Sequence, residues 1–100
     1  MYGRLTIIDG SPERVDLLPE AQEQAIEEDQ MPGLRALYCL IDRSTGRGAS
    51  LSIWDTREAM DASEERAERQ RQQAEETGGG RVVSIDKMEV VNLLYERRGD

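Results

Sequence analysis

Leu34 to Ile41 is the most informative stretch of the chain, because both of its alternating phases are largely apolar. One phase is Leu34, Ala36, Tyr38 and Leu40; the other is Arg35, Leu37, Cys39 and Ile41. Successive strand residues point to opposite faces of a sheet, so this pattern predicts a strand with apolar surface on both sides. The same reading extends along the chain. Gly3 to Asp9 (GRLTIID) is rich in β-branched residues and partly alternating, which predicts a strand. Gly10 stops it. Ser11 as N-cap, Pro12 at the first helical position and Glu13 near the positive end of the dipole then open a helix from Pro12 to Gln30. Val15, Leu18, Ala21 or Gln22, Ala25 and Ile26 roughly follow a three-to-four spacing there. Pro19 interrupts that helix, since a proline inside a helix removes a hydrogen bond and costs about 3 kcal/mol; a kink or break between Asp16 and Pro19 is expected.

Met31-Pro32-Gly33 ends the first helix. Leu34–Asp42 and Ala49–Trp54 flank the turn-rich Arg43–Gly48 and read as an antiparallel hairpin. Asp55, with Glu58 three residues later, reads as the capping box of a second helix. Along it Met60, Ala67 and Ala74 recur at heptad spacing, a narrow stripe of small side chains that lets the helix lie close to a sheet. Its other surface, including Glu65 and Arg69, is charged and solvated. Gly78-Gly79-Gly80 closes the helix; a phosphate-binding loop would precede a helix, whereas here a strand follows. Arg81 to Tyr95 alternates through Val83 and Ile85 and then through Met88 and Val90. The slip at Asp86-Lys87 predicts a bulge or a break there. Leu93, Leu94 and Tyr95 predict a tail that is docked rather than loose.

Strand, helix, strand, strand, helix, strand is the ferredoxin-like βαββαβ order, one α+β domain over residues 1–100 with an antiparallel sheet. Two helices cover one face of such a sheet. The second apolar phase of Leu34–Ile41, and the paired valines Val82-Val83 and Val90-Val91, then need another cover. An identical sheet related by a two-fold axis is the simplest one, so a homodimer is expected; a hydrophobic partner of another kind is the alternative.

Composition sharpens this. Aromatic residues are 4% of the chain and Phe is absent, so the core is aliphatic and thin, and an interface would add burial. The net charge of −8 argues against nucleic acid and against an anionic membrane surface, both of which are held by Lys and Arg. No apolar run approaches the roughly 18 residues that span a bilayer, and the first residues lack the apolar core of a signal peptide. Cys39 is the single cysteine, which excludes an intramolecular disulfide, fits a reducing cytoplasm, and reads as a buried inert thiol.

The chain has no histidine, so a Ser-His-Asp or Cys-His system is excluded and zinc loses its commonest nitrogen ligand. No metal site and no cofactor are expected. Proton transfer would fall to a buried Tyr, Asp or Glu. The residues placed to line a cleft are Thr6, Tyr38 and Trp54. Trp54 has a second reading, as a core residue pinning its strand to the second helix with its indole N–H bonded, and Tyr38 has a structural reading too.

Leu51-Ser52-Ile53-Trp54-Asp55-Thr56-Arg57-Glu58-Ala59-Met60 resembles the "W-x-s-x-e-a" segment of antibiotic biosynthesis monooxygenase-like (ABM) domains. Met31-Pro32-Gly33-Leu34 is similar to the same family's "x-P-G-F" entry into a strand, and Gly10-Ser11-Pro12-Glu13 and the Asp42–Gly48 turn extend the likeness over nearly the whole chain. The resemblance implies a dimeric α+β barrel, two ferredoxin-like protomers packed sheet against sheet, with a cleft between each sheet and its helices. It implies one of two activities: oxidation of aromatic substrates by dioxygen without metal or flavin, or haem degradation with a histidine ligand. Trp54 matches the family's tryptophan. The histidine is missing, and the only asparagine, Asn92, lies near the C-terminus.

Two functions stay open. One is a homodimer of unassigned activity that binds a small apolar or aromatic molecule in the helix–sheet cleft or acts as a cofactor-independent monooxygenase. The other is a non-catalytic regulatory or assembly dimer. An open cleft of roughly 300 Å³ beside Trp54 would favour the first, and side chains filling it the second.

Overall fold

The computed structural model describes residues 1–14, 23, 31–76 and 80–97. Most of the first expected helix, with Pro19, lies outside them; Glu23 is helical and exposed. The described elements are β1 (Tyr2–Asp9), β2 (Leu34–Ile41), β3 (Arg47–Trp54), α1 (Arg57–Ala62), α2 (Glu64–Glu76) and β4 (Arg81–Glu89). The strands form one antiparallel sheet in the order β2-β3-β1-β4, the α+β ferredoxin-like arrangement read from the sequence.

The hairpin is closed by glycine. Gly46 has φ +82°, a left-handed conformation that a side chain disfavours. Its carbonyl accepts from Gly10 N–H at 3.1 Å, which draws the loop onto the end of β1. Gly33 (φ +84°) plays the same part at the entry to β2. A Cβ there would lie 2.6 Å from the Ala59 Cβ, and the Gly33 carbonyl accepts from Asp55 N–H at 2.8 Å, so the Pro-Gly step locks the start of α1 against the sheet.

Four local expectations are corrected. First, the helix cap is Thr56, whose Oγ1 accepts from Ala59 N–H at 3.1 Å; Asp55 instead accepts from Arg35 Nη1 at 3.1 Å, so the Asp55–Glu58 box does not form. Second, the second helix is two helices that meet at Ser63. The Met60 carbonyl accepts from Ser63 Oγ (2.7 Å), Ser63 N–H (3.1 Å) and Arg4 Nη2 (2.9 Å), and this crowding at one carbonyl interrupts the helical ladder.

Third, β4 runs unbroken through Asp86-Lys87. The irregularity lies nearer its start, where Ile7 pairs with Ser84 but Ile8 pairs with Val82, leaving Val83 as the extra residue. Alternation alone could not locate it, because Val82 and Val83 are interchangeable in a hydrophobic pattern. Fourth, the tail expected to be docked is exposed. Val90 N–H donates to the Met1 carbonyl at 2.9 Å, one step past β4, and Val91, Leu93, Leu94 and Tyr95 beyond it are exposed.

The registers assign every strand residue to a face. Arg4 is opposite Ser52 and Lys87, and it bonds to Met60 and Ser63, so that side of the sheet lies under α1 and α2. Tyr2, Thr6, Ile8, Gly48, Ser50, Trp54, Leu37, Cys39 and Ile41 share it. The opposite face carries Leu5 and Ile7 from β1, Ala49, Leu51 and Ile53 from β3, and Ala36, Tyr38 and Leu40 from β2. On β4 it becomes mixed, with Ser84, Asp86 and Met88, so the apolar continuity expected of the last strand holds only in part.

Candidate functional site

The helix-covered face is built in cross-strand rows. Arg4 sits between Lys87 and Ser52, and Ser52 pairs on its other side with Leu37. The next row is Ile85, Thr6, Ser50 and Cys39, and Tyr2, Trp54 and Leu34 lie at the end of the sheet. Arg4, Thr6 and Ser52 are all buried. Buried polar groups need partners, and Arg4 and Ser52 have them.

Trp54 is 2% exposed, and its Nε1–H donates to Ser52 Oγ at 2.9 Å. The Arg4 guanidinium lies 5.7 Å from the centre of the indole ring, within range of a cation–π attraction. Arg4 Nη2 is 2.9 Å from the Met60 carbonyl, from Ser63 Oγ and from Glu64 Oε2. Arg4 Nε is buried without a partner.

Glu64 is the hub of the charges. Besides Arg4 it meets Lys87 Nζ at 3.1 Å and Arg71 Nη2 at 3.0 Å, and Arg71 also reaches Glu68 at 2.8 Å. One carboxylate thereby ties β1, β4 and α2 together. Burial pushes the Glu64 carboxyl up, but the hydrogen bonds from Lys87 and Arg71 and the charges of Arg4 and Lys87 outweigh it and hold the carboxyl below its ordinary range. Burial pulls Arg4 below the ordinary guanidinium value despite the pairing with Glu64; a guanidinium starts so high that it stays cationic at neutral pH.

The three residues expected to line a cleft do not converge. Thr6 and Trp54 share the covered face, both buried. Tyr38 pairs with Leu51 on the opposite face and is 54% exposed, so it cannot line the same cleft. Arg4, Ser50 and Ser52 were not singled out by their sequence context. Arg4 sits between Gly3 and Leu5 in a strand and reads there as a surface cation; only the packing of α1, nearly sixty residues away, reveals its burial. Cys39 is half-buried rather than buried, and desolvation pushes its thiol up, which agrees with an inert role.

Chemically, this face offers a fixed cation against an indole ring, with hydroxyls from Thr6, Ser50 and Ser52 alongside. A cation held by protein dipoles in a dry site stabilises negative charge on a bound molecule. Glu64 is a poor proton acceptor while its carboxyl is held low. Among the described residues no cluster of three or more His, Cys, Asp or Glu side chains could hold a metal ion. On the opposite face the row Leu40, Ala49, Ile7 forms a shallow dip of about 290 Å³, because Ala49 is small between two larger side chains.

No protein-family model matches the chain, and no curated protein matches it. Solved structures do. A proposed antibiotic biosynthesis monooxygenase from Deinococcus radiodurans superposes with a TM-score of 0.73 at 16% identity, covering 98% of this chain and 100% of that one. One from Chloroflexus aurantiacus gives a TM-score of 0.65 at 19% identity, over 91% and 93%. A haem-degrader from Mycobacterium tuberculosis, with two haems bound in its active site, gives 0.60 at 16% identity, over 95% and 100%. At these identities the likeness is one of fold: the chain has the architecture of these structures, the fold that the resemblance in the sequence implied. The histidine that the resemblance implies as the haem ligand is absent from the chain. Burial pushes the Cys39 thiol up, which makes it a poor ligand for iron.

Proposed function

We propose that the chain is one half of a homodimer joined through its open sheet faces, and that each protomer binds a small apolar or aromatic molecule against the helix-covered face and oxidises it with dioxygen and no resident cofactor. The dimer rests on the uncovered apolar face, where Leu5, Ile7, Tyr38, Leu40, Leu51 and Ile53 lie together with no element of the chain described over them. The binding reading is carried by one observation: a buried cation held against the only tryptophan, beside the Thr6 and Ser52 hydroxyls. An aromatic molecule that gives its proton to water and arrives as an enolate or phenolate would find its counter-charge in Arg4. Thr6 and Trp54 are the contact residues; Tyr38 belongs to the dimer seam. The lone, half-buried Cys39 suits a reducing cytoplasm.

The test is oxygen uptake by the purified protein with a panel of anthrone-type and quinol substrates. Uptake that disappears in Arg4→Met supports the enzyme; no uptake with any of them removes the oxygenase reading. A second reading, the non-catalytic dimer, is favoured by the fit around Trp54, which is 2% exposed with its N–H already bonded. Trp54 is the only tryptophan, so its fluorescence separates the two. Saturable quenching by the same compounds supports a cleft that opens, and an unchanged spectrum supports the module.

A further inference from the structure

We infer that α2 is a gate over the β4 side of the covered face, hinged at Ser63 and latched to the sheet near both of its ends. The inference rests on the binding reading above for its purpose, and adds to it how a ligand reaches a face whose polar side chains are buried. It starts from a difference between two consecutive helices. α1 is anchored by burial: Met60 is 2% exposed, and the Gly33 carbonyl holds Asp55 N–H just ahead of the Thr56 cap. α2, EERAERQRQQAEE, has no large apolar side chain, and none of its described side chains is fully buried. A helix without an apolar stripe gains little from burial, so its attachment falls to polar contacts.

Those contacts sit near the two ends. At the start Glu64 meets Arg4 Nη2 at 2.9 Å and Lys87 Nζ at 3.1 Å. Near the far end Glu75 Oε1 accepts from Val82 N–H at 3.2 Å. Val82 lies early in β4 and Lys87 late, so α2 runs antiparallel along that strand. The spacing agrees. Val82 is opposite Ile8 and Lys87 opposite Arg4, which puts the latches about 13 Å apart on the sheet. From Glu64 to Glu75 a helix rises about 17 Å, and the reach of the two glutamate side chains takes up the difference.

Between the latches closure is imperfect. Gln70 Nε2 is shut off from water without a hydrogen-bond partner, and Ile85, beside Thr6 on the covered face, keeps 37% of its surface exposed. A stranded donor destabilises the closed position, and water satisfies it on opening. Ser63 is where the motion is absorbed. The Met60 carbonyl is taken by Ser63 Oγ and by Arg4, and with the ladder interrupted there α2 leaves the sheet while α1 stays. The same movement draws Glu64 off Arg4, so the guanidinium is freed for a ligand's oxygen as the way to it opens.

The experiment is hydrogen–deuterium exchange of the full chain, read by mass spectrometry without ligand. A helix of 13 residues is marginal in water on its own, so each opening of α2 exposes its amides. After correction for intrinsic rates, the interior of α2 should exchange at least about 10-fold faster than β1, β3 and α1. Lys87→Met with Glu75→Ala weakens both latches and leaves Arg4 and Glu64 in place; it should speed α2 about 10-fold further. Gln70→Leu removes the stranded donor and should slow α2 about 5-fold. Neither variant should change the other segments. α2 and α1 exchanging at one rate in the native chain, or the latch variant speeding every segment alike, overturns the gate. Because no ligand is used, a failure of oxygen uptake and of Trp54 quenching removes the binding reading and leaves the gate standing.

Discussion

The two faces of this sheet are built the wrong way round for a solitary protein. The face under the helices buries Arg4, Thr6 and Ser52, groups that burial penalises, among the apolar Ile8 and Trp54. The face over which no described helix lies carries Leu5, Ile7, Leu51, Ile53, Tyr38 and Leu40, the groups that burial favours. Each buried Leu or Ile is worth about 2 kcal/mol when taken from water, so the uncovered face stores the larger unrealised gain. The covered face gains specificity instead, since its charges accept only a matched set of partners. Under the proposed function, the contrast assigns the uncovered face to assembly and the covered face to the candidate chemistry.

The most damaging way to break the contrast is to make the open face polar. Leu5→Asp places a carboxylate opposite Leu51 in the middle of the apolar row. In the proposed dimer each protomer would bury one such charge in the seam. Dimerisation should fall more than about 1,000-fold, roughly 4 kcal/mol, while the isolated protomer keeps its circular dichroism spectrum. A variant that dimerises normally would show that the open face is not the seam.

The covered face should respond in the opposite sense, through stability. Glu64→Ala leaves Arg4 buried without its anion, and breaking a buried pair from one side typically costs about 3 kcal/mol. The Glu64 side chain is 34% exposed, so about 2 kcal/mol is expected here. Arg4→Met removes the cation itself, while Glu64 keeps Arg71 and Lys87, and about 1 kcal/mol is expected. Urea unfolding of both variants checks the order; a costlier Arg4→Met would mean that the bonds to Met60 and Ser63 outweigh the ion pair. The acid limb carries the same information. The carboxyl of Glu64 is held below its unfolded value, near pH 4.3. Its contribution is therefore complete above that pH and is lost as the pH falls through the lower folded value. Glu64→Gln should flatten the acid side of the stability profile.

Architecture was legible because it is written in periodicities. The strands, the hairpin and the double apolar phase of Leu34–Ile41 follow from alternation alone, and the faces then follow from register. What alternation cannot encode is choice between equivalents. Val82 and Val83 both fit the pattern, so the position of the bulge was missed; Asp55 and Thr56 are both good caps, and the hydroxyl won. The candidate site was less legible. Trp54 and Thr6 stand on the covered face, but Tyr38 falls on the other, because a cleft residue and a seam residue look alike in a strand that is apolar on both sides. Arg4 gave no signal, since its burial depends on α1 and on a carboxylate sixty residues away.

The smallest effect separates a sealed tryptophan from a ligand-ready one. The Trp54 indole N–H has Ser52 Oγ as its acceptor at 2.9 Å, and both residues are buried. Ser52→Ala strands that donor away from water, at a cost of about 1.5 kcal/mol. Trp54→Phe removes the donor together with part of the ring, so a later Ser52→Ala should cost less on that background than on the native one. Urea unfolding of the four proteins gives the coupling directly. Coupling near zero would mean that the bond is made equally well to water, which requires an opening beside the ring. That result would move Trp54 from the packed interior to the wall of a cleft, and the covered face from scaffold to binding site.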